Sequence, residues 1–137
     1  HPRLYDQAAR YYTRWGIPAT PSLDEVFATA DLVVVDNSSA GPEFAAATGR
    51  PVLFLDHPRF RRAVVHGGRF WEWPAGQVSC SDPSLLAEAV TETLRDAPSA
   101  QAARTRMVNS IYPPETRGIS ALLAADTVMQ HTATVSA

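Results

Sequence analysis

The sequence predicts an α/β fold, a Rossmann-like parallel sheet flanked by helices, and three observations predict it. Residues 32–35 (LVVV) and 51–55 (PVLFL) are continuous apolar runs rich in β-branched side chains. Such runs suit strands buried on both faces of a parallel sheet rather than half-solvated antiparallel strands. The segment between them reads as a helix, so residues 32–55 form a strand–helix–strand unit with an expected right-handed crossover. Helical patterns also precede and follow this unit, which is the alternation of an α/β sheet. With 137 residues, the chain has the length of one domain.

The elements follow in order. Residues 2–15 read as a helix with Leu4, Ala8, Tyr11, Tyr12 and Trp15 on one face, at helical spacing. Gly16 stands where a helix ends in the left-handed conformation. Residues 17–21 are a proline-rich turn or short strand. Ser22 and Glu25 make a capping box, in which the serine accepts an N–H three residues on, and a short helix runs to about residue 30. After the first strand a helix is expected over 42–48, with Pro42 in its first turn and Gly49 closing it. Residues 56–76 read as a long loop carrying two histidines, four arginines and two tryptophans; loops of that length inside a domain are usually functional or disordered. A third strand is expected at 77–80. Asp82-Pro83 starts a helix with Asp at the N-cap and Pro at the first helical position, and Leu86, Val90 and Leu94 mark its buried stripe. Two further helices are predicted at 98–111 and 116–130, parted by Pro113-Pro114, with frayed residues beyond.

Composition limits the function. The net charge is −2, with 45% apolar and 19% charged residues, so there is no basic footprint for nucleic acid. No apolar run approaches the length needed to span a bilayer. A single cysteine, Cys80, excludes an internal disulfide and a thiolate zinc cluster, and fits a cytoplasmic setting. The four histidines are scattered, with no metal-ligand spacing. The chain opens on His1-Pro2 without a methionine, which fits a fragment, a processed product or a chain lacking its N-terminal part.

The chemistry concentrates at residues 36–43, DNSSAGPE. In open parallel sheets ligands bind beyond the carboxyl ends of the strands. Here a strand runs directly into a helix N-terminus, which offers unpaired N–H groups and a partial positive charge. Ser38 and Ser39 add hydroxyl donors, and Gly41 is expected to let an anion approach closely. The combination suits phosphate or pyrophosphate. Glu43, about one turn into the helix, is placed to accept hydrogen bonds from ribose hydroxyls. The same pattern is also met by simple helix capping, with a serine as N-cap and Glu43 complementing the dipole. A serine-hydrolase reading is poor, since NSSAG lacks the glycine two residues before the nucleophile.

The stretch ADLVVVDNSSAGPEFAAATGRPVLFLDHP resembles the core of the CDP-glycerol glycerophosphotransferase family, the teichoic-acid polymerases, around their D-x-S-S and R-P-V motifs. Weaker landmarks follow in order: Phe70-Trp71 with Ala75-Gly76, residues 81–90, and Arg117-Gly118-Ile119-Ser120. His1-Pro2 is similar to the family's HP pair. The chain departs from the family at Asn37 (Tyr there), at Glu43 (Asp there), and by one extra residue between Ser39 and Pro51.

The resemblance implies the C-terminal, donor-binding half of a GT-B architecture, with the acceptor-binding N-terminal half missing from this chain. The substrate would be a nucleotide-activated donor such as CDP-glycerol, with no further cofactor and no metal. Ser38 and Ser39 would hold its diphosphate and stabilise the departing nucleotide. Asp36 would orient the loop or steer an acceptor hydroxyl, Glu43 would read the ribose, and His1 would do acid–base work at the reacting phosphate. Arg59 and Arg62, after the second strand, would face the same crevice, where guanidinium forks suit phosphate. Peripheral association with the inner face of the membrane would come through the missing half.

Two other classes compete. The Glu before FAAATGRPV also resembles the ribose-contacting Glu of UDP-sugar-dependent GT-B glycosyltransferases and UDP-N-acetylglucosamine 2-epimerases. A non-catalytic α/β binding module is the third reading. Its receiver-like version is excluded, because a receiver needs a late lysine and all twelve cationic residues here are arginine.

Overall fold

The structure is a computed structural model and describes residues 5–63 and 79–135. It is a mixed α/β, mostly helical chain built on a small parallel sheet. The order is α1 (Tyr5–Arg14), α2 (Leu23–Thr29), β1 (Val33–Val35), α3 (Ala40–Thr48), β2 (Val52–Leu55), α4 (Pro58–Ala63), β3 (Ser79–Cys80), α5 (Leu86–Leu94), α6 (Pro98–Ile111) and α7 (Ser120–Val135). Short 3-10 turns at Pro83–Leu85 and Pro114–Thr116 lead into α5 and follow α6.

The three strands lie in the order β1-β2-β3, all parallel. The register pairs Val33 with Val52, Val35 with Phe54, and Leu55 with Cys80. Alternation along a strand therefore puts Val33, Val35, Val52 and Phe54 on one face, where they pack with Phe44 and Ala45 of α3 and Met107 and Val108 of α6. Leu53, Leu55 and Cys80 share the opposite face, and α5 packs against β2 and β3. The central strand β2 is buried through Val52, Leu53 and Phe54, as its unbroken apolar sequence requires. On β1, Val34 looks out from the α5 side of the sheet and is 40% exposed.

The helix ends are held by the residues the sequence marked. Ser22 Oγ accepts from Glu25 N–H at 3.3 Å, and Glu25 accepts from the Thr20 hydroxyl rather than reaching back to Ser22. Phe27 of α2 meets Phe44 edge-on with ring centroids 5.4 Å apart. The C-terminus of α2 is capped from a distance: Arg50 Nη1 donates to Ala30 O at 2.7 Å and to Phe27 O at 3.3 Å. A cation at the negative end of a helix is stabilising, so this arginine ties α2 to the start of β2.

Several expectations need correction. The helix after β1 begins at Ala40 rather than Pro42, which leaves Pro42 in the first turn where its missing N–H costs nothing. The loop expected over 56–76 contains α4, started by Pro58; residues 64–78, with His66, Trp71, Trp73 and the beginning of the third strand, lie outside the described residues. Residues 17–21 form no strand. On α5 the buried side chain is Thr93, whose hydroxyl donates to Ala89 O at 2.7 Å, while Leu94 is exposed. The last helix starts at Ser120 rather than 116 and continues to Val135 instead of fraying after 130. No residue of α1 is buried, and Tyr11 and Trp15 are 63% and 64% exposed. The face that carries Ala8, Tyr11, Tyr12 and Trp15 therefore covers no core among the described residues. No helix among the described residues is long and apolar enough to cross a membrane.

Candidate functional site

The carboxyl ends of the three parallel strands share one edge of the sheet, and their loops (36–39, 56–57 and 81–82) gather there. The first is the strand–loop–helix singled out above. Ser38 N–H donates back to Asp36 O at 2.9 Å, which turns the chain sharply as β1 ends. Ser38 Oγ accepts from Ala40 N–H at 3.3 Å. Ser38 therefore serves as the side-chain cap of α3, although Ser39 occupies the N-cap position. Ser39 is exposed, and its hydroxyl makes no capping bond. Both serines remain reachable: Ser38 is half-buried with its own O–H still available as a donor, and Ser39 is open.

The supply of main-chain donors is smaller than the sequence implied. Of the first N–H groups of α3, Ala40 is taken by Ser38, Pro42 has none, and Glu43 N–H donates to Ser39 O at 3.0 Å. Ser39 and Gly41 N–H keep no acceptor among the described residues. Gly41 itself is buried and faces the sheet. A Cβ there would lie 2.9 Å from Val35 Cγ2 and 3.2 Å from Phe54 Cε1 and Val52 Cγ1. The expected reason for this glycine is corrected accordingly. Its missing side chain lets α3 lie close on β1 and β2.

Two carboxylates flank the loop. Asp36 is exposed and Glu43 half-buried, and neither side chain is hydrogen-bonded among the described residues. Glu43 has a neighbour that sequence reading missed. Tyr112, at the end of α6, packs against the core cluster that holds Val33, Val35 and Phe44. Burial, and then the charge of Glu43, push its phenol above the ordinary tyrosine range. The sequence gives no local signal for this proximity: residues 43 and 112 come near each other because α6 packs on α3.

The second strand end carries the basic residues. Asp56 follows β2 and is gripped by Arg61 of α4, with Arg61 Nε donating to Asp56 Oδ1 at 2.8 Å and Nη2 donating to Oδ2. This hydrogen bond is the main cause of an Asp56 carboxyl held below its usual range. Arg61 is thus committed to the fold. Arg59 and Arg62 sit on the same short helix, exposed, with side chains that make no hydrogen bond or ion pair among the described residues. The structure brings neither of them into hydrogen-bond contact with Ser38 or Ser39. His57 Nδ1 accepts from Arg59 N–H at 3.1 Å. His1 lies outside the described residues.

Between the ends of β2 and β3 is a cavity of about 210 Å³ lined by Leu55, His57, Cys80, Ser81, Pro83 and Leu86. Among the described residues no group of three or more His, Cys, Asp or Glu is arranged to hold a metal ion.

The edge as a whole can do one kind of chemistry on its own residues. Neutral donors (two hydroxyls, two amides and the positive end of α3) can meet an anion, and an acceptor–phenol pair lies one turn further in. These features define a small parallel α/β domain with a candidate anion-binding loop at a strand end. Comparison with known proteins adds no name: no protein-family model, no curated protein and no solved structure matches the chain.

Proposed function

We propose that this domain binds the nucleotide diphosphate of an activated donor, as the donor half of a GT-B transferase of the glycerophosphotransferase type. The observation that carries the reading is the open Ser39 hydroxyl beside the half-buried Ser38, at the N-terminus of α3 and the carboxyl end of a parallel strand. The resemblance of DNSSAGPEFAAATGRPV to that family supplies the donor class, with CDP-glycerol as the first candidate.

In such a transfer an acceptor hydroxyl oxygen attacks the phosphorus of the glycerol phosphate group. The new P–O bond forms as the bond to the bridging diphosphate oxygen breaks, and the electron pair leaves on CMP. Ser38 and Ser39 O–H, with Ser39 and Gly41 N–H, would donate to the oxygens where that charge grows, and donors already in place cost no reorganisation. Glu43 accepts from ribose hydroxyls, and Tyr112 bounds the same space. Asp36 lies at the rim, where it can orient an arriving hydroxyl. The acceptor's proton leaves to a base, the role the resemblance gives to His1. In a GT-B arrangement the acceptor site and any membrane contact would lie on the other half, and these residues supply the donor side of the reaction.

Calorimetry and amide NMR with CDP, CDP-glycerol and UDP-sugars test the reading. The expected result is binding with shifts centred on residues 36–43, weakened about tenfold or more by Ser39→Ala combined with Ser38→Ala. Absence of shifts there with every nucleotide would remove the proposal and leave an α/β binding module. A preference for UDP-sugars over CDP-glycerol would move the assignment to the sugar-transferase or epimerase class.

A further inference from the structure

We infer that a cavity between α3 and α6, at the opposite end of α3 from the serine loop, is a binding site for a small organic carboxylate. The inference stands independently of the nucleotide reading above. The cavity measures about 360 Å³ and reaches Gly49, which caps the C-terminus of α3. From Ser39 to Gly49 the helical rise is about 15 Å.

The space follows from the residues that bound it. Gln101, Arg104, Thr105 and Val108 are spaced i, i+3, i+4 and i+7, so they share one face of α6. Ala45 and Ala46 of α3, with Gly49, supply the small side of the cavity. Larger residues there would close the gap between the helices. Its volume lies in the range of small-molecule sites.

Charge decides the class of ligand. Arg104 and Arg117 both line the cavity, and no Asp or Glu among the described residues does so. The two arginines are not equivalent. Arg104 is gripped by Asp96, with Nη1 donating to Oδ1 at 2.8 Å and Nη2 donating to Oδ2 at 3.0 Å, so that pair is close to neutral. Arg117 Nε donates to Tyr112 O at 3.0 Å, and its Nη2 donates to Asn109 Oδ1. Both acceptors are uncharged, which leaves one positive charge uncompensated among the described residues. A carboxylate brings one negative charge and suits a guanidinium fork. A phosphate dianion brings more charge than the site balances.

The polar groups are also aimed in advance. Arginine has no acceptor, so Asn109 turns its oxygen to Arg117 and keeps its NH2 free to donate elsewhere. Gln101 Nε2 donates to Asp96 O at 2.8 Å, which leaves Oε1 as an acceptor. Thr105, exposed on the same face, adds a hydroxyl that can donate or accept. A carboxylate on Arg117 and Asn109 therefore has partners at hand for a hydroxyl substituent. Asp96, which holds both Arg104 and Gln101, sits at φ 47°, a left-handed conformation that Asp adopts more readily than most residues. Side chains ordered before binding lose less freedom on binding.

The experiment titrates the full chain with acetate, succinate, malate and citrate, and with inorganic phosphate and sulfate, by calorimetry and amide NMR. At least one carboxylate should bind with a Kd of about 1 mM or tighter, with shifts centred on residues 45–49 and 101–109. Arg117→Gln should weaken that binding about tenfold or more. Ala46→Leu, which fills the gap and removes no donor, should weaken it as much. Ala46→Leu decides the matter if Arg117→Gln does not fold, since Ala46 is exposed and holds no other residue in place.

The absence of shifts at residues 45–49 and 101–109 with every carboxylate would overturn the inference. Phosphate or sulfate binding there as tightly as the best carboxylate would overturn it too, leaving a site for an adventitious ion only. An unchanged affinity in either folded variant would do the same.

Discussion

Gly41 shows how one residue can be read correctly as important and for the wrong reason. Its place beside two serines looks like a concession to a ligand, yet the missing Cβ faces Val35, Val52 and Phe54. Gly41→Ala must push α3 away from β1 and β2. An overpacked contact of this kind costs about 1–3 kcal/mol, to be read as a lower urea midpoint with an unchanged slope. The same displacement carries Ser38 and Ser39 with it, so donor binding should weaken in the one variant. Asp56 makes a second residue-scale prediction. Its carboxyl titrates below the ordinary range because Arg61 holds the ionised form. A depressed folded pKa means the unfolded chain binds the proton more readily. The stabilisation is therefore full above the unfolded-state value near pH 4 and disappears as pH falls through the folded one. The stability gap between the native chain and Asp56→Asn should be constant from pH 7 to about pH 5 and close on further acidification. A gap that widened in acid would contradict the ion pair.

Among the elements, α2 depends on a residue outside itself. Its C-terminal carbonyls are met by Arg50 from the start of β2, so the arginine of the GRPV stretch has a structural duty that its sequence context does not reveal. Arg50→Met keeps the stem and loses the donors, at a cost of about 1.5–3 kcal/mol for charge-assisted bonds. Amide exchange in residues 23–29 should accelerate more than exchange in α3 or β2; equal acceleration everywhere would assign Arg50 to the global fold instead. The strands were legible because β2 carries an unbroken apolar run and is buried to match. Helix α4 was not legible, since six residues with three arginines and no apolar repeat give periodicity nothing to report. Its stability comes from Pro58 at the start and from Arg61 reaching back to Asp56. The stripe of α5 was misjudged by one position because Thr93 satisfies its hydroxyl on Ala89 O and can be buried like an apolar residue.

For the molecule as a whole, cohesion is concentrated in β1, β2, α3 and α6, where the contiguous core lies. Helices α1 and α7 stand apart from it, with Leu122 and Met129 of α7 67% and 70% exposed. Local stability follows burial, so hydrogen exchange should find β2 and α6 opening only with the whole domain and α1 opening far more easily. Equal protection in α1 and β2 would refute that gradient.

By itself the sequence determined the parallel α/β class, the two main strands and the capped helix starts. Each of these is written in neighbouring residues, as apolar runs or as cap side chains within a few positions of the backbone they satisfy. Tertiary structure alone decided that Gly41 packs rather than opens, that Arg50 meets the end of α2, and that Tyr112 comes near Glu43. Those facts arise where segments distant in sequence are pressed together, and the strength of such contacts depends on distances that no local pattern encodes.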